Sequence, residues 1–507
     1  MHKFLLTLIS LVCLGALVAC GSSSSSSNVV PPTSPSGGNN AGFTTSSLSG
    51  TYVFSVNGVQ DNTNFAVVGT FTADGAGKIT AGTRDTVNNA GSKSLGETLT
   101  GTYTVNQDGR GQAVISGSLT QTIYSFVLSS PSGGKLFQAG ATSNSVVVDA
   151  VGRFELQTGT PAFGGTYVVR LDGEDFKHFP YAAIGGLTAS ANAITGTIDE
   201  NDSGTPSLLF ASTGSYTFSG TTGTASFTTP TGGTHNFNVY YVSPSRVELL
   251  CTDTASMWFL YGYADLQTSV AGTAATFTGD QVLNLSGYDS LGSIQETGRL
   301  TLDGAGNLAK AVKDYNGNGT LYQAVASTGT YAVAADGRWT AAMIPTGASL
   351  DSEGIVGWQV SPKQSLVMVT TGANPSVSGY TILETGDMRA QTLGLSNASI
   401  AGNYAQAFSG FDYGGLGNFE SVGNYLADGN GSLAGTIDFQ TDSEGFTSNS
   451  SQSGPYAVDA TLGRGTATVS GVTVTFYTVD AADIYMFSTI NSSAYQGTLT
   501  LQSTTAK

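Results

Sequence analysis

The chain has 507 residues, too many for one core, and 40% of them are hydrophobic and 10% aromatic, enough apolar surface to build several. Only 10% are charged, and 35 acidic against 18 basic residues leave a net charge of −17, a surface that repels phosphate backbones and excludes nucleic acid as a partner. It also offers no polybasic patch to anionic lipid heads, so any membrane attachment has to be covalent or through another protein. The 68 glycines, the abundant Ser and Thr, and the near absence of runs of Glu, Lys, Arg and Leu read as all-β.

In chain order, Met1-His2-Lys3 is a short basic start, and Phe4 to Ala19 is apolar or small apart from Thr7 and Ser10. That run falls short of the roughly 20 residues a spanning helix needs and has no basic stop-transfer flank, so residues 1–19 read as a cleaved signal peptide. Leu17-Val18-Ala19-Cys20-Gly21 resembles the lipobox of bacterial lipoproteins. The resemblance implies that Cys20 is diacylglycerated, becomes the first mature residue and is acylated on its amine. Two or more acyl chains hold stably in a bilayer. Gly rather than Asp at position 21 implies, by the same likeness, a cell-envelope protein of the outer membrane, facing the periplasm or the surface. Residues 20–47, rich in Ser, Pro, Gly and Asn, read as a flexible tether. Cys13 leaves with the signal and Cys20 is consumed by lipid, so Cys251 has no partner for a disulfide and reads as a small buried strand residue.

From residue 48 the chain repeats with a period of about 110–115 residues, giving four units at 48–159, 160–269, 270–386 and 387–507. Units open on Gly50-Thr51-Tyr52, Gly165-Thr166-Tyr167 and Gly402-Asn403-Tyr404, and the third opens more loosely around Ala275-Thr276-Phe277. A strand then closes on Asp74-Gly75-Ala76-Gly77, Asp303-Gly304-Ala305-Gly306 or Asp428-Gly429-Asn430-Gly431, residues that supply the positive φ of a hairpin; the second unit has Ala191-Asn192 instead. A second Gly-x-Tyr strand follows at Tyr103, Tyr216, Tyr331 and Tyr456, then Ser-Pro turns at Ser130, Ser243 and Ser361. Three units end on strands running into Gln157, Gln267 and Gln502.

Alternation such as Tyr52, Phe54 and Val56 against Thr51, Val53 and Ser55 gives about eight antiparallel strands per unit. The expected fold is a tandem of four meanders, each an up-and-down barrel, with two-sheet sandwiches as the alternative. The layout resembles avidin- and lipocalin-type barrels, although Trp258, Trp339 and Trp358 do not match the ligand tryptophans of avidins. The whole pattern also resembles uncharacterised repeat-bearing lipoproteins of environmental bacteria.

No catalytic constellation is legible. After export only His178 and His235 remain, neither beside a recognisable nucleophile. Ser132-Gly133-Gly134-Lys135 and Gly75-Ala76-Gly77-Lys78 read as turns rather than as a Ser-x-x-Lys nucleophile or a phosphate loop. Asp314, Asn316 and Asn318 match the first half of a calcium loop, but Val325 stands where a bidentate Glu is needed. Similar acidic spots recur at Asp85, at Asp199 with Asn201 and Asp202, and at Asp438 with Asp442. These read as strand-end and turn chemistry, with a weak structural calcium as the alternative. No other cofactor is expected. The charged stretch from Asp172 to Phe179 is the least repeat-like and the first place to look for a site. The expected function is non-enzymatic: an anchored lipoprotein whose repeats act as spacers or bind a glycan, lipid or protein. The alternatives are a lipocalin-like carrier of a small apolar ligand, which needs a hollow centre, and a carbohydrate-active enzyme, which needs two converging carboxylates in a cleft.

Overall fold

The computed structural model describes residues 41–506 apart from 119–120, 142–147, 162, 254–256, 290–291, 347–351, 372–381 and 491. Cys20, the signal segment and most of the tether lie outside the described residues.

The strands form four antiparallel meanders, three of which close strand one onto strand eight. In barrel 1 the fourth strand is broken at Leu99 into Lys93–Thr98 and Thr100–Val105, and both pieces pair with the third strand, Lys78–Asn88. With its first strand paired to both the second and the last, that meander closes as well. The sandwich alternative is thereby set aside: no unit divides into two sheets. Barrel 3 opens on the strand Gly279–Asp289, with Gly279 (φ +94°) in the place of Gly50. Ala275, Thr276 and Phe277 belong to a short 3-10 turn and its cap ahead of that strand, which corrects the opening of the third unit.

Each barrel has a lower end, where the chain enters and leaves, and an upper end. The lower hairpins keep the repeat. Asp74, Asp303 and Asp428 each accept hydrogen bonds from backbone N–H groups two and four residues on, at 2.7 and 2.9 Å. Residues 41–47, the last of the stretch read as tether, also pack at the lower end of barrel 1: Phe43 is buried and its N–H donates to Gln107 O.

Both faces of many strands are buried. Tyr52, Phe54, Phe65 and Val67 fill barrel 1, while Val53, Ala66 and Val68 on the opposite face pack against Tyr240, Val242 and Phe259 of barrel 2. Equivalent apolar seams join barrels 2 and 3 (Ile184 with Trp358), 3 and 4 (Val282 with Tyr477), and 4 and 1 (Val422 with Phe137). The four barrels therefore close into a ring.

Polar groups repeat around the ring with the same logic. The terminal glutamine of each barrel donates from Nε2 to a lower-end carbonyl of the next: Gln157 to Tyr241 O at 2.6 Å, and Gln267 to Gln359 O, Gln391 to Thr478 O and Gln502 to Leu128 O at 2.7 Å. Gln502 thus docks the last barrel on the first as a linker glutamine docks its successor. Upper ends meet likewise: Asn89 donates to Glu174, Asn201 to Val369 O, Asn316 to Ser493 O, and Gln440 to Val148 O. The ring has one upper and one lower face.

A third-strand aspartate completes each seam. Asp85, Asp199, Asp314 and Asp438 accept a hydrogen bond from the N–H of a bulged fourth-strand residue with positive φ: Gly96, Leu209, Ala324 and Asn449. Three of them also take an arginine from the next barrel, Arg338 on Asp199, Arg464 on Asp314 and Arg110 on Asp438, each at 2.8 Å. Asp85 meets Asn238 of barrel 2 instead, at 2.6 Å. A bulge leaves one N–H outside the ladder, and a carboxylate facing it satisfies that donor and fixes the bend.

Candidate functional site

The upper end of barrel 2 collects the most chemistry. The Asp172–Phe179 stretch forms its first hairpin, between the strands Gly165–Glu174 and Pro180–Ser190. Asp175 is buried and accepts from the N–H groups of Lys177 and Phe179, both at 2.8 Å, which holds His178 at φ +66°. Glu174 accepts from Asn64 and Asn89 of barrel 1, so the charges of this segment serve the seam as well as solvent. His178 is partly exposed, with Nδ1 3.5 Å from Glu174.

Beneath the hairpin lies Trp258, edge-on to Tyr181 and His235 with ring centroids 5.2 and 4.7 Å away, and tilted against Phe176 at 6.0 Å. His235 Nδ1 is 3.0 Å from Asp253 Oδ2, and its Nε2 is 3.1 Å from Thr229 Oγ1. An ionised carboxylate only accepts, so Nδ1 carries the proton, and in the neutral ring Nε2 accepts from the Thr229 hydroxyl. Thr229 Oγ1 also accepts from Gly232 N–H at 3.3 Å. The order of groups is that of a Thr-His-Asp relay, which the sequence conceals because the three come from two strand ends and a hairpin. Yet Thr229 and His235 are each 1% exposed, and both lone functions of the hydroxyl are in use. A nucleophile has to reach its substrate; this one is sealed under Trp258.

Burial raises the Asp253 carboxyl, but hydrogen bonds from His235 and Asn236 outweigh it and hold the group below the usual carboxylate range. Burial and the Asp253 charge push the Cys251 thiol up to about 12. His235, Cys251 and Asp253 can place three ligand atoms within 4.8 Å of one another. A zinc ion would need the thiolate, which burial disfavours, and the Lys93 ammonium of barrel 1, on the backbone carbonyl of Asp253, already sets a positive charge beside these groups. Tyr181 donates to Glu200 Oε2 at 2.8 Å and Thr231 also donates to Glu200, closing the end of the barrel with satisfied polar groups. The polar plugs differ elsewhere: Arg84 with Glu97 in barrel 1, and Lys313 between Glu296 and Glu353 in barrel 3.

Below the plug the interior of barrel 2 is filled, leaving a cavity of about 30 Å³ among Phe163, Tyr167, Tyr216 and Phe227. Pockets for small organic ligands run to roughly 300–1,000 Å³. The hollow centre required of a small-ligand carrier is not found there, and the other three barrels are likewise packed with their own apolar side chains.

The calcium-loop residues do not face one centre. Asp314 accepts from Arg464 Nε and Nη2 at 2.8 Å, Tyr477 OH at 2.6 Å and Ala324 N–H at 2.9 Å. Asn316 donates to Ser493 O at 2.5 Å, and Asn318 sits in the hairpin with its Oδ1 3.3 Å from Tyr413 OH. An ion at Asp314 would have to displace a guanidinium. Asp85, Asp199 and Asp438 hold the equivalent seam positions, and Val325 is buried. Cys251 is buried on the strand Arg246–Cys251.

Among the described residues barrel 2 exposes the most apolar groups toward its upper end, Phe176, Phe179, Leu208, Leu209 and Met257; the other barrels expose fewer there, Leu95 of barrel 1, Tyr288 of barrel 3 and Phe446 of barrel 4 among them. Leu209 is 62% exposed at φ +59° and Met257 50% exposed at φ +52°. Left-handed backbone costs a bulky residue about 1–2 kcal/mol; the bulge positions of barrels 1, 3 and 4 hold the smaller Gly96, Ala324 and Asn449.

No protein-family model and no curated protein matches the chain. Among solved structures, a double mutant of the vaccine antigen transferrin-binding protein B from Haemophilus parasuis is similar at 9% identity, over 76% of this chain and 84% of that one, with a TM-score of 0.19. Transferrin-binding protein B from serogroup B Neisseria meningitidis is similar at 9% identity over 73% and 84%, with a TM-score of 0.20. Scores of this size fall short of a shared three-dimensional arrangement, so the functional reading comes from this chain's own residues.

Proposed function

We propose that this is a non-enzymatic cell-envelope lipoprotein, anchored through Cys20, whose ring of barrels presents the upper rim of barrel 2 to a protein partner. The observation that carries the reading is Leu209: a large apolar side chain held in solvent on a strained backbone, beside Leu208 and across the rim from Phe176, Phe179 and Met257. Strain and apolar exposure both cost stability, and together they favour a contact over a scaffold role. The sealed Thr229–His235–Asp253 relay supports the absence of catalysis. Phe43, near the first described residue, packs at the lower end of barrel 1, opposite the upper ends.

A photo-cross-linking residue at Phe179, compared with one at Asn430 on the lower face, tests this in the cells that make the protein. A discrete adduct from Phe179 and none from Asn430 is expected. Equal patterns, or no adduct at either, would refute the docking rim. The anchor is tested separately: Cys20→Ser should leave an unprocessed precursor without acyl mass, and normal processing of that variant would refute lipidation.

A further inference from the structure

Where the ring closes, the seam chemistry changes sign. Each seam sets a second-strand residue of one barrel beside an eighth-strand residue of the next. At the first seam these are Ala66 and Phe259, and at the second Ala182 and Leu383, all apolar and buried. At the third, Gln295 Nε2 donates to Ala494 O at 2.7 Å. At the fourth, between barrels 4 and 1, the same two positions are Glu420 and Asp149, and Asp442 stands on the next hairpin of barrel 4.

Glu420 is 5% exposed and Asp149 9% exposed. Glu420 Oε2 and Asp149 Oδ1 are closed to solvent and accept no hydrogen bond. The donors that reach these carboxylates among the described residues are neutral: Asn418 Nδ2, 3.0 Å from Asp149 Oδ2 and 3.3 Å from Asp442 Oδ2, Asn418 N, 2.8 Å from Asp442 Oδ2, and the Gln440 side chain on Asp149. Each buried carboxylate is set against other carboxylates rather than against a cation, and burial with that repulsion pushes Asp149 up to about 7 and Glu420 up to about 9. Of the third-strand aspartates, Asp199, Asp314 and Asp438 meet Arg338, Arg464 and Arg110, the last pair in this same seam, and Asp85 meets the Asn238 amide; among the described residues no cation pairs with Asp149, Glu420 or Asp442.

We propose that the seam between barrels 4 and 1 binds a divalent cation, calcium, between Asp149, Glu420 and Asp442. Carboxylate and amide oxygens with no nitrogen or sulfur ligand are the donor set of a hard cation, and calcium accepts an irregular shell completed by water. Asp442 is exposed, which gives the ion a path from the upper face and room for that water. Bridging carboxylates from two barrels, the ion would hold the last repeat to the first.

The test uses the full chain after chelation, with calcium or magnesium added as chloride at about 10 mM, above the 10⁻⁴–10⁻³ M range of extracellular calcium sites. Calcium should bind at one ion per chain and raise Tm, magnesium should do so less, and Asp149→Asn or Glu420→Gln should weaken calcium binding at least ~10-fold. No stoichiometric calcium, an equal response to magnesium, or undiminished binding in both variants overturns the proposal. Should a variant fail to fold, hydrogen exchange on the unmodified chain decides. Calcium has to slow exchange at Val148–Ala150 and Phe419–Ser421 and leave the seam between barrels 1 and 2 unchanged; a uniform or absent effect overturns it. None of these outcomes depends on the docking rim of barrel 2.

Discussion

Arg110 is the sharpest handle on the ring. Its guanidinium is fully buried, with Nε 2.8 Å from Asp108 Oδ2, Nη1 2.8 Å from Asp438 Oδ1 and Nη2 3.0 Å from Asn449 Oδ1. Asp438 keeps only Ser125 Oγ at 2.9 Å and Asn449 N–H at 2.8 Å when the arginine is removed. Arg110→Met therefore leaves a wholly buried carboxylate without its cation, and breaking such a pair costs about 3–5 kcal/mol. Because the pair excludes water, the loss should be similar at low and high salt. The double variant with Asp438→Asn should be less damaging than the sum of the singles by at least ~1.5 kcal/mol, since the two residues share one interaction. Urea unfolding gives these energies, and hydrogen exchange locates the effect: protection should fall at Ser125–Leu128 and not at Asn238–Tyr241, which belong to another seam. A loss under ~1 kcal/mol, or equal loosening at every seam, would refute the ring as a set of separate buried locks.

Three further outcomes are expected. Leu209→Gly should raise stability by about 1 kcal/mol in urea unfolding by relieving left-handed strain at an exposed position, while weakening the Phe179 cross-link; a loss of stability would show that the side chain is structurally needed. The Cys251 thiol, pushed up by burial, should resist iodoacetamide at pH 8 in the folded chain and react once unfolded; rapid native labelling would contradict its placement. A hydrogen bond from the Asn307 side chain, followed by those from the Asn307 and Ala305 backbone N–H groups, holds the exposed Asp303 carboxyl below its ordinary range. A lowered carboxyl adds stability that is complete above the unfolded pKa of about 3.9 and lost as pH falls through the folded value. Asp303→Ala should accordingly lower Tm at pH 6 and converge on the parent near pH 2; a constant gap would refute the turn's dependence on the charge.

Much of the architecture was legible from residue order. Strand periodicity, Asp-Gly-x-Gly hairpins and recurring Tyr and Gln positions are local properties, so they mark all-β units of about eight strands and their repetition. They could not show the ring. Val53, Ala66 and Val68 look like the outer face of a two-faced strand, and only the neighbouring barrel makes that face a second core. The recurring aspartates were visible, but their ligands were not: a carboxylate spaced for calcium in sequence is spaced for Arg464 in space, because a partner some 150 residues away leaves no local trace. Thr229, His235 and Asp253 are nearer in sequence, but only the register of three neighbouring strands brings their side chains together. Alternation and turn chemistry are fixed within a few residues of backbone. Which exposed-looking face meets which neighbour is settled only when four closed barrels pack, since burial and charge pairing are properties of the assembled surface.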